Sequence, residues 1–156
     1  MFRSDAVELL ADEDTARLRD QTRTLAELLQ QETPGWEPPA RTGAAVVQTH
    51  CHHHAVLGFE PDLAVLRGTG LDVDVPDSGC CGLAGNFGFE RGHFDVSMAC
   101  AERVLLPAVR RAGPEAVVLA DGFSCRTQIA AGLAGRRARH LAEVLAPGHD
   151  ENTGEA

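Results

Sequence analysis

The sequence predicts an α/β fold: a small open sheet of three parallel strands with flanking helices, preceded by a helical segment. Three observations carry this reading. The runs Ala44-Ala45-Val46-Val47-Gln48-Thr49, Leu71-Asp72-Val73-Asp74-Val75 and Ala116-Val117-Val118-Leu119-Ala120 have strand length and are rich in valine. Stretches of helical character separate them, and that alternation implies parallel strands joined by right-handed crossovers. A cysteine position follows each run: Cys51, the adjacent Cys80 and Cys81, and Cys125. Parallel strands bring their carboxyl-terminal loops to one edge, where such sheets place their ligands.

Taken in order, residues 5–31 read as helix, with an apolar stripe of Leu18, Leu25, Leu28 and Leu29. Acidic Asp12, Glu13 and Asp14 lie near the start of its longer part, where the helix dipole favours them. Thr33-Pro34-Gly35-Trp36-Glu37-Pro38-Pro39 cannot continue a helix. After the first strand, a helix is expected over 55–67, stopping at Gly68. A second is expected over 93–111 with a kink at Pro107, and a third from Arg126, broken over 132–135 and resumed over 140–145. This divides the chain into a helical segment (1–32), a Pro-rich linker (33–43), a cysteine-rich α/β domain (44–147) and a polar tail (148–156) expected to be disordered. Three strands make a narrow sheet with exposed edges, so a partner or a larger unit is expected to cover one.

The 156 residues suit one domain, and the net charge of −9 argues against nucleic-acid or anionic-membrane binding. All 14 basic residues are arginine; Arg136, Arg137 and Arg139 read as a solvated helix end. No apolar stretch reaches the ~20 residues of a membrane span, and the amino terminus lacks a signal-peptide pattern. The expected location is therefore cytoplasmic, with any inner-membrane association made through a partner. Five cysteines in a reducing compartment favour metal or redox chemistry over structural disulfides.

Between Cys51 and Cys80 lie 28 residues, and between Cys81 and Cys125 lie 43, so the tight knuckles of zinc fingers and ferredoxins are absent. Adjacent thiolates strain when both bind one ion, but they can bind different irons of one cluster. The doublet therefore leans towards a polynuclear site. Gly79, Gly82, Gly85 and Gly88 around it let backbone N–H groups turn towards negative charge. Cys125 sits near a helix start beside Arg126, and both features are expected to lower its pKa. In the run His50-Cys51-His52-His53-His54, His50 and His52 are candidates to touch the site. Cys100 reads as a packed helix residue. Asp121, Glu90 and His93 read as acids or bases, or equally as caps or surface groups.

At these residues the chain resembles a known family. His50-Cys51-His52, Gly79-Cys80-Cys81-Gly82-Leu83-Ala84-Gly85-Asn86-Phe87-Gly88, Ser97 and Asp121-Gly122-Phe123-Ser124-Cys125-Arg126-Thr127-Gln128 are similar to the cysteine-rich CCG domain. That domain occurs in the cysteine-rich subunit of heterodisulfide reductase, in iron–sulfur subunits of glycolate and lactate oxidation, and in anaerobic glycerol-3-phosphate dehydrogenase. The nearest likeness is to the carboxyl-terminal part of FAD-linked oxidases with iron–sulfur centres that act on D-2-hydroxy acids such as D-lactate or D-2-hydroxyglutarate. The resemblance implies that Cys51, Cys80, Cys81 and Cys125 are metal or cluster ligands, and that the module passes electrons from a flavin to an acceptor. In the heterodisulfide branch the last cysteine belongs to a Cys-x-x-Cys, whereas position 128 here is Gln. Four ligands fit a four-iron cluster, or a single zinc or iron ion, better than the larger double cluster of that branch. FAD is expected only on a partner or missing domain, and the implied partners are flavin-containing and ferredoxin-type domains or subunits. Two other readings stay open: a structural zinc-binding interaction module without redox turnover, and a thiol–disulfide protein working through Cys80 and Cys81.

Overall fold

The computed structural model describes residues 2–146, so the expected tail over 148–156 lies outside the described residues. Three parallel strands, β1 (Ala44–Val47), β2 (Asp72–Asp74) and β3 (Val117–Leu119), form a sheet in the order β2-β1-β3. The register pairs Ala45 with Val73 on one side and with Val117 on the other. β1 is central and nearly all buried, while β2 lies at an edge with Asp72 and Asp74 exposed. Charged residues on an edge strand oppose pairing with another chain. The outer side of β3, expected to be open, is covered by the chain itself. Arg139 bridges Leu119, accepting the Ala120 N–H at 2.9 Å and donating to the Val118 carbonyl at 2.8 Å.

The single helix expected over 5–31 is three helices: α1 (Asp5–Leu10), α2 (Glu13–Gln21) and α3 (Leu25–Glu32). Ala11 adopts a left-handed conformation after α1, and the Asp12 carboxylate then accepts the Thr15 N–H at 2.7 Å, starting a new helix. Thr24 and Glu27 form a reciprocal capping box that starts α3. A side chain that satisfies first-turn N–H groups replaces the carbonyls of the preceding turn, so each cap also ends what came before. Arg3 binds both carboxylate oxygens of Glu27, at 2.8 and 2.7 Å, tying the start of the chain to α3.

The region after β1 also differs from the expected single helix. A π-type turn spans His53–Leu57, Gly58 ends it with φ +82°, and α4 runs Glu60–Gly68. The helix expected over 93–111 divides at Val104 into α5 (Phe94–Arg103) and α6 (Leu105–Arg111). Pro107 is the cause: it lacks the N–H that would bond the Arg103 carbonyl, and its ring crowds that carbonyl. The break therefore falls a turn before the proline. α7 (Phe123–Gly132) starts three residues earlier than expected, and α8 (Leu141–Leu145) ends the described fold.

Alternation along the strands splits the core into two layers. Val46 and Val118 face one side with Leu105, Leu106, Ile129, Cys81 and Cys125. Ala45, Val47 and Leu119 face the other with Ala26, Val65, Leu66 and Leu141. Ala26 is fully buried, so α3 belongs to the packed body. With β1 in the centre, the chain leaves β1 for β2 on one flank and returns past it to β3 on the other. The order reverses between β1 and β3, and the crevice of an open α/β sheet lies at the carboxyl ends of such strands.

Candidate metal centre

The loop after β1 carries Cys51, the loop after β2 carries Cys80 and Cys81, and Cys125 is the third residue of α7 after β3. The β1 and β3 loops meet at the reversal point. A Cβ placed on Gly122 would lie 2.5 Å from the His50 ring and 3.2 Å from the Cys125 sulfur. Glycine is thus required there by space, since its φ of −70° suits any residue. His50 is half-buried beside Cys125, and burial with its histidine neighbours lowers its pKa, favouring the neutral ring. His52 is exposed.

Two clamps hold the doublet loop. Buried Gln48, at the end of β1, donates from Nε2 to the Gly79 carbonyl at 3.1 Å and accepts the Ser78 hydroxyl at 2.6 Å. On the far side, Gln128 of α7 donates to the carbonyl and hydroxyl oxygens of Ser97, at 3.0 and 2.9 Å. Ser97 in turn presses on the loop: any Cβ on Gly82 would collide with its carbonyl, and one on Gly88 would lie 2.5 Å from its Oγ. Gly82 also has φ +93°, so both space and conformation demand glycine. Its N–H donates to Cys80 Sγ at 3.3 Å. Gly79 and Gly85 also have positive φ, with open space where a Cβ would stand.

The thiols are electrostatically distinct. Cys51 and Cys80 are exposed, Cys81 and Cys125 buried. Cys81 is hydrogen-bonded by Cys125 and receives the backbone N–H groups of Leu83 and Ala84; these outweigh burial and lower its pKa to about 6. Cys125 moves the other way. It keeps its proton and points it at Cys81, is buried, and feels the other thiolates. The expected lowering at Cys125 is therefore corrected: the loop amides stabilise Cys81 as the anion, and Cys125 is its donor. Burial raises the Cys80 thiol despite the Gly82 N–H. Ala84 holds a left-handed φ of +45°, unusual for a residue with a side chain, where its N–H reaches the Cys81 sulfur.

Arg126 lies 3.9 Å from Glu143, which also pairs with Arg137 at 2.5 Å. Cys100 is half-buried on α5, its Cβ 2.9 Å from where a Cβ on Gly82 would stand. Glu90 pairs with His93 at 3.2 Å, and His93 stacks on Phe87 at 4.4 Å. Asp121 accepts the Leu141 N–H at 2.7 Å, serving the start of α8. A cavity of about 380 Å³ opens beside the centre, lined by Cys51, Cys80, Thr49, His54, Phe59 and Ser78.

Sequence reasoning missed Gln48 as a loop clamp; a lone amide closing an apolar run just before a cysteine is its signal. It also missed Asp62 of α4, which is 2% exposed and 3.3 Å from His53. Among the described residues, no three of the thiol sulfurs lie within 4.8 Å of one another. No helix of the described residues is long and apolar enough to cross a membrane.

Over 85 residues, 54% of the chain, the sequence is 34% identical to one subunit of the anaerobic glycerol-3-phosphate dehydrogenase of Escherichia coli K12, and equally to its counterpart in Escherichia coli O157:H7. The match spans about a fifth of those relatives, 21% of their length. No protein-family profile and no solved structure matches the chain.

Proposed function

We propose that the chain holds an iron–sulfur cluster, of the four-iron type, on Cys51, Cys80, Cys81 and Cys125, and serves as an electron-transfer module of a flavin-linked dehydrogenase. The carrying observation is that these thiols follow the carboxyl ends of the three strands, Cys51 and Cys80 on one cavity and Cys81 and Cys125 in one buried layer, with the Gly82 N–H on Cys80. A lone tetrahedral ion bound at about 2.3 Å would hold its sulfurs about 3.8 Å apart. Adjacent thiolates strain when both bind one ion, so the Cys80–Cys81 doublet favours a body larger than one ion. A bound cluster supplies one-electron transfer, and hydrogen bonds to its sulfurs and partial burial are what a protein uses to set its potential.

The chain's own residues act as the frame. Gln48 and the Ser97–Gln128 pair fix the doublet loop, the loop amides favour Cys81 as thiolate, and Gly122 lets the β1 and β3 loops close together. Cys51 and Cys80 open on the cavity, and Phe123, two residues before Cys125, is 73% exposed. Those features suit contact with a partner that carries the flavin. The similarity to part of a glycerol-3-phosphate dehydrogenase supports the association with a dehydrogenase. The resemblance to FAD-linked oxidases extends the proposal to D-2-hydroxy acids, including D-lactate and D-2-hydroxyglutarate, with flavin and ferredoxin-type domains on partners.

Purification without oxygen, followed by iron, sulfide and zinc analysis, tests this. Iron with matching sulfide supports the proposal. Zinc alone favours a structural site, for which His50 beside Cys125 supplies a nitrogen ligand. Metal-free protein with one titratable disulfide favours thiol redox chemistry.

A further inference from the structure

On the α4 side of the sheet, three metal-capable side chains from three separate elements meet. His53 stands in the π-type turn after β1, Asp62 in the first turn of α4, and Asp121 just past the end of β3. One ligand atom from each lies within 4.8 Å of the others. His53 Nε2 and Asp62 Oδ2 are 3.3 Å apart, and the side chains are 13% and 3% exposed. Neither of these two buried atoms makes a well-formed hydrogen bond among the described residues.

A carboxylate buried this deeply needs a compensating charge; Asp62 raises the pKa of His53 to obtain one, and a cation held between the two atoms would take over that role. Two atoms bound to one ion at about 2.0–2.1 Å in a tetrahedron stand about 3.3 Å apart, which matches the His53–Asp62 separation. The outer partners are those of a ligating carboxylate. Asp121 Oδ1 accepts the Leu141 N–H at 2.7 Å and lies 3.8 Å from His140 Nε2. His140 Nδ1 accepts the Ala142 N–H, which leaves Nε2 as the ring's N–H, towards Asp121.

We infer that His53, Asp62 and Asp121 bind a divalent first-row cation in a nitrogen–oxygen site separate from the thiol centre. One imidazole and two carboxylates neutralise a dication and suit manganese, iron(II) or zinc, whereas the thiolates select softer species. The remaining positions take water. The inference goes beyond the proposed electron-transfer role and does not rest on it.

Mn²⁺ is the discriminating probe, because it favours oxygen and nitrogen over sulfur. Titration of the full chain with MnCl₂, followed by electron paramagnetic resonance, is expected to show one bound ion. Asp62→Asn is expected to weaken it at least tenfold, and Glu90→Gln, at the exposed Glu90–His93 pair, to leave it unchanged. Anomalous scattering from crystals of the unmodified protein holding Mn²⁺ locates the ion independently of whether Asp62→Asn folds. Density between His53 and Asp62 supports the inference. No bound Mn²⁺, Mn²⁺ at the cysteines or at other surface carboxylates, or an affinity unchanged in a folded Asp62→Asn protein would overturn it.

Discussion

Cys81 and Cys125, far apart in the chain, lie in one buried layer where each sets the other's proton affinity, Cys81 as the anion and Cys125 as the thiol. The asymmetry comes from the backbone: Leu83 and Ala84 turn their N–H groups on Cys81, while Cys125 is deeper and surrounded by other sulfurs. One buried thiolate is thus prepared before any ligand arrives.

That arrangement fixes a pH dependence in the reduced, metal-free chain. A lowered acid is charged above its pKa and neutral below it, so one thiolate is expected to appear as pH rises through about 6. Ultraviolet thiolate absorbance reads it. Cys81→Ser is expected to remove this step, and Cys125→Ala to move it upwards by taking away the donor.

Gly82→Ala places a methyl group against the Ser97 carbonyl in a backbone conformation that disfavours side chains. Overpacking and left-handed strain together are expected to cost about 2–4 kcal/mol in urea unfolding. Bound metal should fall with it, because the displaced loop carries two of the ligands.

Gln128→Ala removes the donor to Ser97 without touching a cysteine. Leaving buried acceptors unpaired is expected to cost about 1–3 kcal/mol. Because Gln128 reaches the doublet loop only through Ser97, the folded variant should keep its four ligands and the parent's metal-to-protein ratio, while losing metal sooner to a chelator. A proportionate loss of metal at full stability would instead make Gln128 part of the centre.

These residues also mark where the sequence could be read and where it could not. The three strands are legible because each is a short apolar run, and the cysteines because each follows one. The breaks at Ala11, Thr24 and Val104 are hidden. No glycine or proline marks Ala11, the leucine stripe continues across Thr24, and the proline acts on a carbonyl a turn earlier. The Thr24–Glu27 capping box is present in the chain but overshadowed by that stripe. Gln48, Gln128 and Asp62 gain their meaning from Gly79, Ser97 and His53, partners that only the fold brings near. The split between Cys81 and Cys125 depends on amide directions, which no spacing of residues records.

Arg3→Ala serves as the contrast. It breaks an ion pair in which one guanidinium nitrogen, Nη1, reaches both oxygens of the largely buried Glu27 carboxylate, and is expected to cost about 0.5–1.5 kcal/mol in unfolding. The pair joins the amino-terminal helices to α3, away from the sheet edge, so metal content should not change.

The most direct measurement is the visible absorbance of the oxygen-free chain across five single Cys→Ser variants. Cys51→Ser, Cys80→Ser, Cys81→Ser and Cys125→Ser are each expected to lose or sharply reduce iron–sulfur absorbance, while Cys100→Ser keeps the parent spectrum. Retained colour in the Cys81 or Cys125 variant, or lost colour in the Cys100 variant, would contradict a cluster held by four thiols at this sheet edge.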